Sequence, residues 1–473
     1  MPRPDSTPDR HRNSSRSRSN GRSRGSADGR SRGAGNSHGR NAARNRSAGG
    51  DRSAPAVAPR EPVELELDVT GVAHGGVFVA RHEGRVVFVS DAIPGERVLA
   101  RVSDTRHDRF WRAETVRVIE ASAHRTGHVW QAASVERDPA ERAGGAEFGH
   151  IALPHQRELK HQVIADAFGR MAGIDTAPEV EAAPGDDERD GLRWRSRVRV
   201  QVDEAGRVGP FAARSHHVIP VDDLPLVIDA VERAAPLGEV QSRAGSVDIA
   251  VTSEGFVAVT RRDASGQTST PTRLIHERVG DRRFALASTG FWQVHRKAPQ
   301  VLTEAVQDAV DDSLFDPRAF NLDLYGGVGL LAAAIGDRFG PTTRITSVES
   351  DEGTTDHAAA NLAEWIGAQT VTARVEHYLR DLTSRSTAGE RARLNAGTVV
   401  LDPPRSGAGR EVVDMLAGIA PAQLVYVACD PVAFARDLGW FRERGYELRG
   451  ARAFDLFPHT HHVEIVASLV RGE

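Results

Sequence analysis

Phe320-Asn-Leu-Asp-Leu-Tyr-Gly-Gly-Val-Gly329, followed by Leu330–Phe339 and then Arg344-Ile-Thr-Ser-Val-Glu349, is the stretch that decides the fold. An apolar run of strand length, a tight glycine loop, an alanine- and leucine-rich helical stretch and a second strand predict a βαβ unit. Gly327 and Gly329 let the backbone approach a bound nucleotide. Glu349, closing the second strand, is placed to hold ribose hydroxyls. The ligand itself stays open, because Gly327-Val-Gly-Leu-Leu-Ala332 also satisfies the dinucleotide fingerprint of a nicotinamide oxidoreductase.

Three later segments carry chemistry. Thr398-Val-Val-Leu-Asp-Pro-Pro-Arg-Ser-Gly407 puts Asp402 and a rigid Pro-Pro at a strand's carboxyl end. Leu424-Val-Tyr-Val-Ala-Cys-Asp-Pro431 ends a strand at Cys429, the only cysteine of 473 residues. Phe457-Pro-His-Thr-His-His-Val-Glu464 leads into the last strand. Ligands of an open α/β sheet bind at the carboxyl ends of its parallel strands. If the last strand runs antiparallel, it begins on that same rim, and Asp402, Cys429 and Glu464 converge.

Asp430 and Pro431 suit the N-cap and first position of a helix, whose partial positive charge favours a thiolate at Cys429. A lone cysteine is otherwise a small buried hydrophobe. A thiol and a carboxylate beside a methyl donor suit one reaction: addition of the thiolate to C6 of uracil makes C5 nucleophilic, and a base then removes the C5 proton. Cys429 is read as the nucleophile and Glu464 as the base. A uracil inside a helix is out of reach, so the target lies in a loop or is flipped out. His459, His461 and His462 crowd too closely with Glu464 for a zinc site, so no metal is expected; a histidine here orients Glu464 or touches the RNA.

Upstream the composition changes twice. Residues 1–60 hold fourteen Arg and four Asp, a charge of +10 against −14 for the remainder, with repeated Arg-Ser and Arg-Gly steps. Such a segment reads as a disordered tail that binds RNA phosphates or only aids solubility. Residues 61–122 contain five short alternating strands broken by glycines, a small β-barrel. Asp68-Val-Thr-Gly-Val-Ala-His-Gly-Gly76 with Ile93-Pro-Gly-Glu-Arg-Val98 resembles a TRAM domain. Arg106, Arg109 and Arg112 around Phe110 and Trp111 mix cation and aromatic as single-strand RNA binders do. Residues 123–283 read as a central α+β domain, with a helix from Gln156 and a strand on which Arg193, Arg195, Arg197 and Arg199 alternate.

The C-terminal domain, 284–473, resembles the S-adenosylmethionine-dependent RNA uracil-5-methyltransferases. The resemblance rests on Leu322-Asp-Leu-Tyr-Gly-Gly-Val-Gly329, Leu401-Asp-Pro-Pro-Arg-Ser-Gly407, Tyr426-Val-Ala-Cys-Asp-Pro431 and Phe457–Glu464. It implies a Rossmann-like class I methyltransferase domain, an RNA partner (ribosomal RNA or tRNA) and donor contacts from Gln293, Tyr325, Gly327, Gly329, Glu349 and Asp402. It also supports the roles given to Cys429 and Glu464. Many relatives on ribosomal RNA hold an iron–sulfur cluster through Cys-Gly-Gly-Cys and a later Cys-Pro. Ala143-Gly-Gly-Ala146 and Leu224-Pro225 stand there, so no cluster is expected. Leu330 replaces an often polar residue, and Asp430 a common asparagine. With no membrane-length apolar run and one cysteine, a cytoplasmic protein, monomeric by default, is expected. The alternatives are a nicotinamide oxidoreductase and a non-catalytic RNA-binding protein on a vestigial methyltransferase fold.

Overall fold

The computed structural model describes residues 63–472; the tail expected at 1–60 lies outside the described residues. Five strands, β1 (Glu64–Ala73), β2 (Val77–His82), β3 (Arg85–Ser90), β4 (Arg97–Asp104) and β5 (Phe110–Glu120), close into a barrel in the order β1-β2-β3-β5-β4. Period-two alternation turns Leu67, Val69, Phe78, Ala80, Val87, Val89, Val98 and Ala100 into its core. Gly75 and Gly76, both at positive φ, make the β1–β2 turn.

The segment read as one central domain is divided between its neighbours. Helix α1 (Leu153–Ala167) shares its faces: Leu159 enters the barrel core, whereas Ile164 and Ala167 enter the core of the C-terminal sheet. Strand β6 (Val180–Ala182) joins that sheet as an edge. What remains central is β7 (Arg197–Val202), β8 (Val208–Gly209), α2 (Asp229–Ala234), β9 (Gly245–Val251) and β10 (Val257–Asp263). The strands form a sheet in the order β10-β9-β7-β8, with a core that includes Trp130, Trp194, Val200 and Ile249.

A hairpin follows, β11 (Leu274–Val279) and β12 (Arg282–Ala287). Ile275, Phe284 and Leu286 bury in the same cluster as Leu302 and Val306 of α3 (Ala298–Ala309), so the boundary expected at 284 falls inside one packed unit. The arginine alternation is likewise not one strand face, since β7 begins only at Arg197. Arg193 pairs with Glu232, Arg197 with Glu277 and Arg199 with Asp248, which leaves Arg195 without a carboxylate.

The C-terminal chain alternates strand and helix: β13 (Asn321–Leu324), α4 (Leu330–Phe339), β14 (Ile345–Glu349), α5 (Glu352–Asn361), β15 (Ala368–Thr372), α6 (Val375–Arg385), α7 (Ala388–Asn395), β16 (Thr398–Leu401), α8 (Gly409–Ile419), β17 (Gln423–Ala428), α9 (Pro431–Arg442), β18 (Tyr446–Asp455) and β19 (Glu464–Arg471). The sheet order is β15-β14-β13-β16-β17-β19-β18-β6. β13 to β17 are parallel, and β19 runs antiparallel to β17. β13, β16 and β17 are buried along their whole length, as strands covered by helices on both faces should be, although β13 carries Asn321 and Asp323. The expected strand–loop–helix–strand unit is present, with the strand order reversing between β13 and β16. That reversal opens the crevice where ligands bind in doubly wound sheets.

Candidate active site

The glycine loop leaves β13 through Tyr325, which is held at φ 61°, a strained conformation for a tyrosine. Gly327 and Gly329 are also left-handed, and a Cβ placed on Gly327 would meet nothing within 4 Å. Glu349 at the end of β14 accepts a hydrogen bond from Gly327 N (3.2 Å) and another from Asp351 N (3.0 Å). Beneath the loop, buried Asp323 takes a hydrogen bond from Ser347 Oγ (2.9 Å) on one oxygen, while its other oxygen has no partner. Burial pushes Asp323 up to about 7. Asp402, one residue beyond β16, donates its backbone N–H to Leu324 O (3.2 Å), and burial plus the Asp323 charge push it up to about 7 as well. An open glycine loop, a buried Asp323 and a half-buried Asp402 short of a counter-charge fit a nucleoside that carries a cation, as S-adenosylmethionine does.

Cys429 and Glu464 meet. In the β17–β19 register Ala428 lies opposite Ile465, and one further step sets Cys429 across from Glu464. Glu464 is buried, and burial together with the Asp402 charge pushes its carboxyl well up. The thiolate favoured by a helix N-terminus is corrected by the structure: burial, Glu464 and Asp402 push the Cys429 thiol up to about 12. Desolvation and neighbouring carboxylates outweigh the helix end, so the resting group is a thiol. Arg405 works in the opposite sense, favouring the charged forms of both Cys429 and Glu464.

The surrounding side chains position this pair. Asp430 caps α9, accepting from Val432 N (3.1 Å) and Ala433 N (2.8 Å), and its other oxygen meets His74 Nε2 of the barrel at 3.2 Å. Buried Asp437 of α9 accepts from Tyr426 Oη (2.7 Å), Ala408 N (2.7 Å) and Gly409 N (3.3 Å), and Arg436 donates to Ser406 O (2.7 Å). Together they pin the loop that carries Asp402 and Arg405. Among the described residues none of the three histidines is hydrogen-bonded to Glu464, so of the two roles expected for them, orienting Glu464 is not seen. His459 lies between Gln156 and Asp190 O, His461 bonds Glu147, and His462 Nε2 faces Arg405 at 3.3 Å. Glu147, His461 and His462 bring ligand-type atoms within 4.8 Å of one another.

Gln293 lies half-buried in the loop between β12 and α3, beside Trp292, which packs on Phe284. No hydrogen bond joins Gln293 to the glycine loop among the described residues. Ala143, Ala146 and Leu224 pack with Trp130 and Trp194 in the central core and offer no sulfur donor, so an iron–sulfur cluster does not fit there. Sequence reading missed Asp323, Asp437, His74 and Glu147. Asp323 stands inside the quoted glycine-loop motif and Asp437 a few residues beyond the Cys429 motif, both as polar residues in apolar surroundings, which was a usable signal. The His74 and Glu147 contacts span hundreds of residues and left none.

Comparison with known proteins agrees with this geometry. The profile described as tRNA (Uracil-5-)-methyltransferase matches residues 307–471, and that of the TRAM domain matches 63–116. An uncharacterized RNA methyltransferase of Streptomyces avermitilis is 36% identical over 442 residues, covering 86% of this chain and 98% of its own. One from Bifidobacterium longum is 32% identical over 435 residues, covering 87% and 98%. The crystal structure of Pyrococcus abyssi tRNA (uracil-54, C5)-methyltransferase in complex with S-adenosyl-L-homocysteine has the same fold: TM-score 0.62 at 18% identity, covering 86% of this chain and 100% of that one. Fold and crevice define an S-adenosylmethionine-dependent RNA methyltransferase, with a TRAM barrel on its N-terminal side. The chain belongs to the tRNA (uracil-5-)-methyltransferase family. Membership sets aside the nicotinamide and non-catalytic readings.

Proposed function

We propose that the protein methylates C5 of a uridine in structured RNA, ribosomal or transfer, through a covalent bond between Cys429 and C6. The observation that carries this reading is the cross-strand placement of Cys429 beside Glu464 at the mouth of the crevice. Tyr325, Gly327, Gly329, Glu349, Gln293 and Asp402 would hold S-adenosylmethionine, which would supply an electrophilic methyl group when bound. The Cys429 thiol loses its proton to solvent as the sulfur forms a bond to C6, and the C5–C6 π pair moves toward C5 and O4. Once C5 carries the methyl group, the Glu464 carboxylate takes the C5 proton, the C5–C6 double bond re-forms and the C6–S bond breaks. Arg405 favours the two anionic forms this sequence needs, and Asp402 opposes them while its own charge is unmatched. Among the described residues no helix is long and apolar enough to cross a membrane.

The test is a pair of variants assayed on RNA from a deletion strain. Cys429→Ala is expected to abolish methylation while keeping S-adenosylmethionine binding. Glu464→Gln is expected to accumulate a protein–RNA adduct, seen as a slow band on a denaturing gel. Methylation by Cys429→Ala at the wild-type rate would overturn the covalent route. Nucleoside mass spectrometry of separated RNA pools then assigns the substrate to ribosomal or transfer RNA.

A further inference from the structure

Most arginines near the catalytic cleft are neutralised by a carboxylate, as Arg142 is by Asp91 (2.7 Å) and Arg125 by Glu96 (2.6 Å). Three are not. Arg112 of β5, Arg214 of the central domain and Arg195 ahead of β7 form no salt bridge among the described residues. Their positions connect. Arg214, itself at φ 57°, lines a cavity of about 330 Å³ together with Gly76, Glu114, Glu147, His461 and His462. Glu114 sits two residues along β5 from Arg112, so Arg112 lies on the same strand face, one step outward. Arg195 lines a second cavity, of about 250 Å³, on the other side of the Gly144-Gly145 turn that the two cavities share. The inner end of this series is Arg405, which touches His462 and faces Cys429 and Glu464.

The acids along the way do not cancel these charges. Asp91 is held by Arg142 and Glu147 by His461, while burial and the Asp91 charge push Glu114 toward its neutral form. Arg195 is opposed by burial and by Arg405 and favoured by Glu147, and Arg214 is opposed by burial and by Arg112 and favoured by Glu114, Asp91 and Glu147, none of which forms a salt bridge with it among the described residues. Like charges kept close with no salt-bridge partner among the described residues, Arg214 exposed and Arg112 and Arg195 half-buried, are an arrangement that a polyanion relieves. The barrel end of the series carries bare aromatic and cationic surface, with Arg112 over Phe110 and Arg85 over Trp111, suited to stacking unpaired bases.

We propose that Arg112, Arg214 and Arg195 form a phosphate-binding path that leads one RNA strand from the barrel, past the Ala143–Glu147 turn, to the Cys429 crevice. The inference rests on the reading of that crevice as a uridine site. These arginines contact the backbone of nucleotides flanking the target, while the base enters beyond Arg405. Such contacts place the strand and carry no sequence information.

The test uses the full chain with Arg112→Gln, Arg214→Gln and Arg195→Gln, assayed for methyl transfer and for the salt dependence of binding to its RNA substrate. Each variant is expected to raise KM about tenfold with kcat near wild type and to lower the slope of log K against log salt by about 1. Arg283→Gln, whose guanidinium is already paired with Glu254, is the unchanged control. Because Arg195 is half-buried, Arg195→Lys serves beside it and is expected to recover most of the affinity; S-adenosylmethionine binding verifies folding. Wild-type KM and salt slope in all three variants, or a fall in kcat with KM unchanged, would overturn the path. Wild-type protein that binds RNA with a steep salt slope but makes no methylated uridine defeats the uridine reading instead, so the two failures are distinct.

Discussion

Cys429 works against its surroundings. With its thiol pushed up to about 12 by burial, Glu464 and Asp402, almost no thiolate exists near neutral pH in the free protein. Alkylation of the free enzyme by iodoacetamide at pH about 7.5 is expected to run at least about a hundredfold slower than that of an unhindered cysteine. Asp402→Asn removes a negative neighbour, which lowers the thiol's pKa and speeds alkylation. No acceleration would show that the carboxylate does not govern the sulfur. The site was legible at this scale where a residue type forces a role: one cysteine, one carboxylate after a histidine cluster, one glycine loop. The ionisation state was not. It depends on Asp323 and Asp402 lying together under the crevice, and no spacing along the chain announces that two distant strand ends share a dry pocket.

Among elements, the loop from Asp402 to Gly409 is held mainly by one residue, Asp437. Asp437→Ala leaves a buried tyrosine hydroxyl and two backbone N–H groups without their acceptor, and is expected to cost about 3 kcal/mol of stability by chemical denaturation. Methylation should fall further than folding explains, because Arg405 rides on that loop. The β1–β2 turn offers a second test. A Cβ at Gly76 would lie 2.9 Å from Glu147 Cγ and 3.0 Å from His461 Nδ1, at a φ of +72°. Gly76→Ala is expected to cost about 1–3 kcal/mol and to loosen the barrel from the catalytic part, measurable as faster amide exchange in β1 and β2. Strands and helices with clean periodicity were readable: the barrel's five strands and the Leu330–Phe339 helix fall where their patterns put them. The alternating arginines were misleading because alternation says which residues share a face only if the segment is a strand. The chain at Arg193 is left-handed, so that face does not exist there.

For the whole molecule, the two carboxyls at about 7 set a pH dependence. Asp323 and Asp402 have folded-state pKa values raised above the unfolded value of about 3.9, so their contribution to stability is complete below about pH 4 and is lost as pH rises through about 7. The melting temperature of the free protein is expected to fall between about pH 5 and pH 8. The stabilisation given by S-adenosylmethionine should grow over the same interval, since its positive charge meets carboxylates that have just ionised. A melting temperature that is flat across this interval would exclude these groups as the cause. Domain limits were the least readable property. A three-residue strand such as β6 has no periodicity of its own, and a helix such as α1, whose buried stripe includes Gln156 and Lys160 and passes from one core to another along its length, does not announce which domain it serves.

That same short strand bears on how the polypeptide can be cut. Val180–Ala182 caps the open edge of β18, Arg452 grips Glu181 from the neighbouring strand, and buried Lys160 of α1 neutralises Asp455 at 2.5 Å. A fragment that begins at Phe284, although it holds every predicted site residue, would bare a row of unpaired amides and strand a carboxylate in a dry interior. Sedimentation should find it self-associated and poorly soluble, whereas a fragment that begins at Ala152 should stay dispersed. The catalytic half therefore borrows its outermost wall from sequence that precedes it by more than a hundred residues, so its reactive centre was never a detachable cassette.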